Sequence, residues 1–369
     1  MIYTHYQNDK KLRHWYASQI LRSWNKPAKT SKSIPPILQN LRDELSVMDQ
    51  KILFAILLKD RATLERRYSW IAEYGKLCDF VAYYPLLEEQ TKKTHSYQPL
   101  RKKYLAQYKG HYLNALISKI SLSEKELIRN WTNFGRLKRE AKQCLTEANL
   151  LISKYLDYSM MSQETRYELF RKMDVTVCPY CNRQYIHTAS LTDNGPYLGD
   201  LDHFYPQSYY PLFSLSLWNL IPVCKPCNQL FKRQYNRKLL SPQSAGFDDD
   251  CILEISARDT KALLGFNGRF DIHWNIPSYV PVDKADKIRE NLKLFHLNDV
   301  YQYHKPDIQR LLQKHYLYSK SYFQKVNKLL MRLPLSEEEK NYLLYGTSLN
   351  KDQFHKELLG KMTYDIIMR

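Results

Sequence analysis

Glycine, proline and long apolar runs are all scarce in this sequence of 369 residues. It contains 10 glycines and 16 prolines, too few for a low-complexity or fibrous chain. No segment approaches the roughly 18 consecutive apolar residues of a membrane span. No apolar stretch follows the charges of the N-terminal segment MIYTHYQNDKKLRHW, so we expect no secretory signal. We therefore predict a soluble cytoplasmic protein.

Acidic side chains are also few relative to basic ones. The sequence has 56 Lys and Arg against 38 Asp and Glu, a formal net charge of +18, and its pI is near 9.4. The net charge is +13 over residues 1–160, −1 over 161–260 and +6 over 261–369. This balance is typical of proteins that bind a polyanion, most often nucleic acid. The basic flanks, and not the nearly neutral middle, would supply most of the attraction to phosphates.

The hydrophobic pattern predicts an α+β protein that is mostly helical. Residues 1–165 form a basic helical N-terminal region, because apolar residues recur three and four positions apart. In residues 166–260 the pattern changes to short β-prone runs between turn residues, which indicates a separate central module. Residues 261–369 return to a mainly helical pattern. These three regions are the predicted domains.

The sequence also predicts individual elements within these regions. One helix is expected over residues 123–156, because the segment SEKE provides a capping start. Another is expected from about Cys227 to Leu240. Strands are expected at residues 184–188, 197–204, 219–223, 251–257 and 269–276.

Four of the seven cysteines form two CxxC pairs, Cys178 with Cys181 and Cys224 with Cys227. A two-residue spacer lets both sulfurs of a pair bind one tetrahedral Zn²⁺, so two pairs predict a Cys₄ zinc site. Such a site has no open coordination position, and the zinc would be structural. A redox CxxC, buried cysteines without a ligand, or His187 as a replacement ligand are the alternatives.

The segment between the two cysteine pairs resembles the HNH endonucleases, also called His-Me finger or ββα-metal nucleases, in their cysteine-bearing form. The resemblance covers about 60 of the 369 residues. In that pattern a DH…P strand precedes NL.P.C..CN…K. The matching residues are Asp202, His203, Pro206, Asn219, Leu220, Pro222, Cys224, Cys227, Asn228 and Lys232.

The resemblance implies a central zinc-stapled ββα-metal module that hydrolyses phosphodiester bonds. His203 would be the general base, since imidazole titrates near neutral pH. Asp202 and Asn228 would hold a catalytic Mg²⁺ or Mn²⁺, for which oxygen ligands are suited. Asn219 would fix the loop that orients the base. Asp202 and His203 are adjacent, so they reach one site only at a strand end or a bulge.

Basic residues accompany the motif. Lys225, Lys232 and Arg233 could hold backbone phosphates, or they could form an ordinary solvated helix face. Asn219 could simply cap a turn, and Asn228 could cap the following helix.

The resemblance implies an endonuclease, with DNA as the expected substrate. The motif is similar to that of the PtuB-type nucleases of bacterial anti-phage defence, which act beside an ATPase partner. This chain has no GxxxxGK[ST] loop, so an ATPase would be another protein. A non-catalytic nucleic-acid-binding module and an RNA-directed nuclease are the alternatives.

Overall fold

Helices make up most of the molecule, and two small two-stranded sheets accompany them, so the predicted α+β class is confirmed. The computed structural model describes residues 1–27, 34–93, 97–187, 199–233, 237–318 and 336–369, together with Tyr322, Lys325 and Lys328. In the described part of the chain no helix is both long and apolar enough to cross a membrane.

The N-terminal region is a packed set of helices, many of which begin at a polar capping residue. Asp9, Asp49 and Asp60 each accept a hydrogen bond from a backbone N–H of the helix that follows. The helices are α1 (Lys10–Ser23), α2 (Gln39–Val47), α3 (Gln50–Leu58), α4 (Arg61–Arg67), α5 (Ser69–Ala82), α6 (Tyr84–Lys93), α7 (Tyr97–Tyr108), α8 (His111–Ile120), α9 (Glu124–Arg129), α10 (Trp131–Ser153) and α11 (Gln163–Lys172). Short 3₁₀ turns lie at Tyr6–Asn8, Pro36–Leu38 and Tyr158–Met160.

The helix predicted over residues 123–156 is two helices. Ser123 and Glu126 form the expected capping box at the start of α9. Asn130 interrupts the helix because its side chain accepts hydrogen bonds from two backbone N–H groups and starts α10 anew. The prediction identified the start correctly and missed this second cap.

A β-hairpin forms the first sheet of the central module. Strands β1 (Gly199–His203) and β2 (Leu220–Cys224) are antiparallel, with Gly199 opposite Cys224 and His203 opposite Leu220. A Cβ atom on Gly199 would lie 2.7 Å from the Val223 carbonyl oxygen, so only glycine fits this approach. The predicted strands at 197–204 and 219–223 agree with this hairpin, although residues 197 and 198 lie outside the described part.

The strand predicted at residues 184–188 is only a single bridge between Val177 and Tyr185 among the described residues, and residue 188 lies outside them.

The hairpin leads directly into a short helical segment, Pro226–Lys232, with π-helical hydrogen bonding. It ends at Arg233, whose φ of 47° turns the backbone while its N–H bonds the carbonyl of Asn228 at 2.7 Å. The helix predicted to continue to Leu240 is therefore wrong at its end: residues 237–240 are not helical, and 234–236 lie outside the described part.

The second sheet joins the central module to the C-terminal region. Strands β3 (Ile252–Ala257) and β4 (Phe270–Asn275) confirm the strands predicted at 251–257 and 269–276, and they pair antiparallel. The helices that follow or flank them are α12 (Thr260–Leu263), α13 (Val282–Leu294), α14 (Leu297–Gln302), α15 (Lys305–Leu317), α16 (Glu337–Tyr345) and α17 (Gly360–Met368), with a 3₁₀ turn at Lys351–Gln353. Another 3₁₀ turn, Pro211–Phe213, lies in the loop between β1 and β2.

Both chain ends pack against the central module. The backbone N–H of Ile2 bonds Pro179, and that of Thr4 bonds Pro242. From the other end, the N–H of Leu359 bonds the carbonyl of Asn182 at 2.8 Å. The division into 1–165, 166–260 and 261–369 stays a prediction.

Candidate functional site

Four cysteine thiols meet in the interior of the central module. The sulfur atoms of Cys178, Cys181, Cys224 and Cys227 all lie within 4.8 Å of one another, and all four residues are buried. The Sγ atoms of Cys181 and Cys224 are 3.9 Å apart. A tetrahedral ion bound at about 2.3 Å to each sulfur sets sulfurs roughly 3.8 Å apart. The cluster could therefore hold a metal such as zinc.

The two cysteine pairs are held by different local structures. Asn182 follows the first pair in the left-handed region with φ 52°, and its N–H bonds the carbonyl of Cys178 at 2.7 Å. The second pair spans the end of β2 and the helical segment. Contacts with the other three thiols, together with burial, raise the pKa of the Cys227 thiol well above its usual range. His187 is exposed and lies outside the cluster.

His203 is the last residue of β1 and lies at the other end of the hairpin. Its Nε2 is 2.9 Å from the carbonyl oxygen of Ser214, which can only accept, so Nε2 carries the proton. Nδ1 therefore has the lone pair, and no donor in the described part of the chain is bonded to it. Burial lowers the pKa of His203 below its ordinary 6.5, which keeps the ring neutral. The ring of Tyr158 packs edge-on, with centroids 4.8 Å apart.

Asn219 ties the loop after β1 to the hairpin. Its Oδ1 accepts from the N–H of Tyr205 at 2.6 Å, and its Nδ2 donates to the carbonyls of Tyr205 at 3.1 Å and Phe213 at 3.0 Å. The side chain is buried. Because Ser214 follows Phe213, these bonds also fix the carbonyl that holds His203. The side chain does more than cap a turn.

Asp202 is buried with two hydrogen-bonding partners. Its Oδ2 accepts from the Tyr180 hydroxyl at 2.6 Å, and its Oδ1 accepts from the Lys232 ammonium at 2.9 Å. Lys232 also donates to the carbonyl of His203 at 2.7 Å. The side chains of Lys232 and Asp202 are only 1% and 3% exposed. Burial, with the adjacent carboxylate, raises the pKa of Tyr180 well above its usual range, so the hydroxyl keeps its proton.

Lys232 therefore does not lie on the exposed helix face that the sequence analysis assigned to phosphate binding. Its ammonium is directed inward because the π-type segment carries it over the hairpin toward Asp202. Lys225, at the start of that segment, is exposed, and so is Arg233 at its end. Of the three basic residues, only these two are accessible to a ligand.

Asn228 bonds a carboxylate that the sequence analysis missed. Its Nδ2 donates to Asp200 Oδ2 at 3.0 Å, and Gln229 donates to the same oxygen at 2.9 Å. Within the described residues no donor reaches Oδ1 of Asn228. Asp200 lies two positions before Asp202 on β1, so both point to the same face. That alternation was the available signal for Asp200.

A cleft of about 600 Å³ brings several predicted residues together. Asp202, His203, Asn228 and Arg233 line one side of it, and four residues of α10 line the other: Thr146, Asn149, Leu150 and Ser153. Asp202 and His203 share the cleft because His203 stands at the strand end. Asn219 and Lys232 support this wall from behind. We find no second cluster of three or more His, Cys, Asp or Glu side chains in the described ranges that could hold an ion.

No family model, curated protein or solved structure matches the chain. Its chemistry therefore has to be inferred from its own side chains.

Asp202 and Asn228 offer oxygen atoms, the kind of ligand atom that a hard divalent ion binds. A carboxylate offers about two lone pairs on each oxygen. Tyr180 and Lys232 each take one from Asp202, and the amide oxygen of Asn228 has no donor within the described residues. Metal-bound carboxylates are commonly hydrogen-bonded in this way. Asp202 and Asn228 are therefore the candidate oxygen ligands among the residues that line the cleft.

Proposed function

We propose that this protein is a metal-dependent endonuclease of the HNH type, which hydrolyses phosphodiester bonds in DNA. The observation that carries the proposal is the single free lone pair on Nδ1 of His203, in a cleft that Asp202 and Asn228 also line. A neutral imidazole held through its other nitrogen is the arrangement that a general base requires.

The proposed role of His203 is to take a proton from the attacking water. The Ser214 carbonyl holds the ring in one tautomer, and burial lowers the pKa of His203, so the base is unprotonated at neutral pH. Asn219 would act indirectly, because it fixes the loop that carries this carbonyl.

Asp202 and Asn228 would hold Mg²⁺ or Mn²⁺, which supplies charge stabilisation to the scissile phosphate and its leaving oxygen. Arg233, exposed on the same cleft wall, would attract the phosphate. The four-cysteine cluster would bind zinc as a structural ion, because four thiolates leave no open position for a substrate.

A sharp test replaces the base without removing its anchor. His203→Gln keeps a donor near the Nε2 position for Ser214 and deletes the lone pair of Nδ1. We expect a loss of cleavage of about 10²–10⁴-fold, with zinc content, melting temperature and DNA affinity close to wild type. His187→Ala, an exposed histidine of the same module, is the matched control and should cut normally. Cleavage of plasmid DNA with Mg²⁺ or Mn²⁺ is the measurement, and undiminished cutting by His203→Gln contradicts the mechanism.

One observation favours a second candidate, a nucleic-acid-binding module without catalysis. Lys232 already neutralises Asp202 inside the protein, which removes much of the attraction for a divalent ion. Such a module would bind DNA equally with EDTA or Mg²⁺ and cut neither DNA nor RNA. The same plasmid, single-stranded DNA and RNA incubations separate the two, and cutting of RNA alone would identify an RNA-directed nuclease.

The cellular role we propose is anti-phage defence beside an ATPase partner, supported by the resemblance of the motif residues. Affinity purification of the full chain from its native host should recover the ATPase as a stoichiometric partner. Recovery of the chain alone would contradict this role and leave the nuclease chemistry untouched.

A further inference from the structure

We propose that the solvent face of α10 is a docking surface for a DNA backbone that leads into the cleft at His203. This inference rests on the nuclease function proposed for that cleft. The last turns of α10 already line the cleft opposite the candidate catalytic residues, through Thr146, Asn149, Leu150 and Ser153. The helix then continues away from the cleft for several turns toward its start at Trp131.

Three basic residues extend the cleft-lining face along the helix. At about 100° per residue, Arg139 lies within roughly 40° of Thr146, Leu150 and Ser153 around the axis, and Arg136 and Lys142 lie about 60° to either side of Arg139. The 14 positions from Arg139 to Ser153 span about 21 Å. That length matches roughly six base-pair steps of duplex DNA at about 3.4 Å each.

The charge of this face is unpaired. Arg136, Arg139 and Lys142 are exposed, and within the described residues none forms an ion pair. The two acidic residues of the helix lie about 80–100° away from Arg139. Glu140 pairs with Lys119, and Glu147 accepts from Gln143. A phosphate backbone would therefore meet three free cations.

The opposite face makes α10 a rigid support for such a surface. It is buried in the core through Phe134, Leu137, Ala141, Leu145, Ala148 and Ile152. On the outer face, a Cβ at Gly135 would meet nothing within 4 Å, and Leu150 is 64% exposed. The face is open to a ligand along its length.

A pair of hydrogen bonds fixes this surface relative to the candidate base. Asn149 Oδ1 accepts from the Tyr74 hydroxyl at 2.8 Å, and its Nδ2 donates to the carbonyl of Ser208 at 3.2 Å. Ser208 belongs to the loop between His203 and Ser214, which Asn219 also holds. A strand on α10 would thus enter the cleft at a set distance from His203.

The test compares two double variants of equal charge change. Arg139→Gln with Lys142→Gln removes cations from the α10 face, and Lys102→Gln with Lys103→Gln removes exposed cations of α7 as the control. Glutamine keeps helix propensity, so both proteins should melt like wild type. Binding of a fluorescein-labelled duplex DNA is measured by anisotropy over a salt range, in EDTA. Hydrolysis of the small diester bis(p-nitrophenyl) phosphate is measured with Mn²⁺.

We expect the plot of log binding constant against log salt concentration to be less steep for the α10 variant. Its slope should fall by about 1.8, which is about 0.9 for each of the two lost phosphate contacts. Its hydrolysis of the small diester should equal that of wild type. An α10 variant that matches the α7 control in affinity and slope overturns the docking surface. If wild type hydrolyses neither DNA nor the small diester while the slope still falls, the surface stands and the proposed nuclease function fails.

Discussion

At one end of the β1–β2 hairpin four buried thiols face one another, and at the other His203 stands in an open cleft of about 600 Å³. The two ends are only five residues of strand apart. The cysteine end offers one kind of ligand atom and no access for substrate. The histidine end offers a lone pair, oxygen ligands and space. The four-cysteine cluster and the cleft that His203 lines are thus kept apart within one small element.

The buried pair of Lys232 and Asp202 contacts both ends of the hairpin. Asp202 lines the cleft, yet its partner Tyr180 stands inside the first cysteine pair, Cys178–Cys181. A change at the cysteine end should therefore damage the fold first, whereas a change at the cleft should damage the rate first. The following predictions test that division.

The largest effect should come from the cysteine end. Cys181→Ser removes one of four ligands, and structural zinc sites supply about 10–16 kcal/mol of apparent binding free energy that is coupled to folding. We expect loss of the roughly one zinc per chain, poor solubility and a much lower melting temperature. Cys144→Ala, at a buried thiol of α10 outside the cluster, is the control. Elemental analysis that finds no zinc in active wild-type protein would remove the zinc assignment.

The second-largest effect should come from breaking the buried Lys232–Asp202 pair. Lys232→Met leaves Asp202 buried without its counter-charge, which typically costs about 3–5 kcal/mol in free energy of unfolding. Urea unfolding measures it, and Lys225→Met in the same segment should cost almost nothing because Lys225 is exposed. Adding Asp202→Asn to Lys232→Met should recover part of the loss. No recovery would show that the pair is not the source of the stability.

Removing the amide ligand proposed at the cleft should change the metal requirement and spare the fold, because Asn228 has no part in the buried Lys232–Asp202 pair. Asn228→Ala removes the proposed amide ligand and should raise the Mn²⁺ concentration for half-maximal cleavage about 10- to 100-fold. Excess Mn²⁺ should restore much of the rate, because His203 remains. Asp202→Ala should respond less to added metal, since it removes the only carboxylate proposed as ligand. It should also lower the melting temperature, because it leaves the Lys232 ammonium buried without its counter-charge. Gln229→Ala, which also loses a bond to Asp200, is the control for indirect effects.

The smallest effect concerns pH. Since burial lowers the pKa of His203, its base form persists below 6.5, the value of an ordinary histidine. The midpoint of the acid limb of cleavage should therefore lie below pH 6.5. The unfolded chain binds this proton more readily than the folded one, so this residue also makes stability fall as pH drops below about 6.5. A descending limb centred above pH 6.5 would contradict the burial argument.

Local patterns were predictable, and pairings across the chain were not. The CxxC spacers and the capping box at Ser123 are defined within four residues, and the structure has both. The partners of Asp202, Tyr180 and Lys232, lie 22 and 30 positions away. The motif includes Lys232, but no sequence signal pairs either residue with Asp202. The acceptor of His203 is a backbone carbonyl, which has no side-chain signature. Asp200 could have been predicted as a neighbour of the site, because strand alternation places it on the same face as Asp202.

The helix prediction after Cys224 was wrong for a related reason. A sequence pattern predicts an α-helix, and Asn228 with Lys232 would then share one exposed face. The structure has π-type bonds that end at Arg233 instead, so Lys232 is directed inward and Asn228 toward Asp200. Packing over the hairpin decided both directions.

The tight turn at Asn182, which closes the first cysteine pair, has a consequence for the order of events in synthesis. Its side-chain amide donates to the carbonyls of Phe354 and Glu357 at 3.0 and 2.9 Å, and its oxygen accepts from the N–H of Lys361. These partners lie 172 to 179 positions later in the chain. A ribosome-bound chain therefore makes both cysteine pairs long before it can enclose them. Until residues 354–361 have been made, the turn at Asn182 lacks these three hydrogen bonds, so they can hold the first cysteine pair in place only late in synthesis.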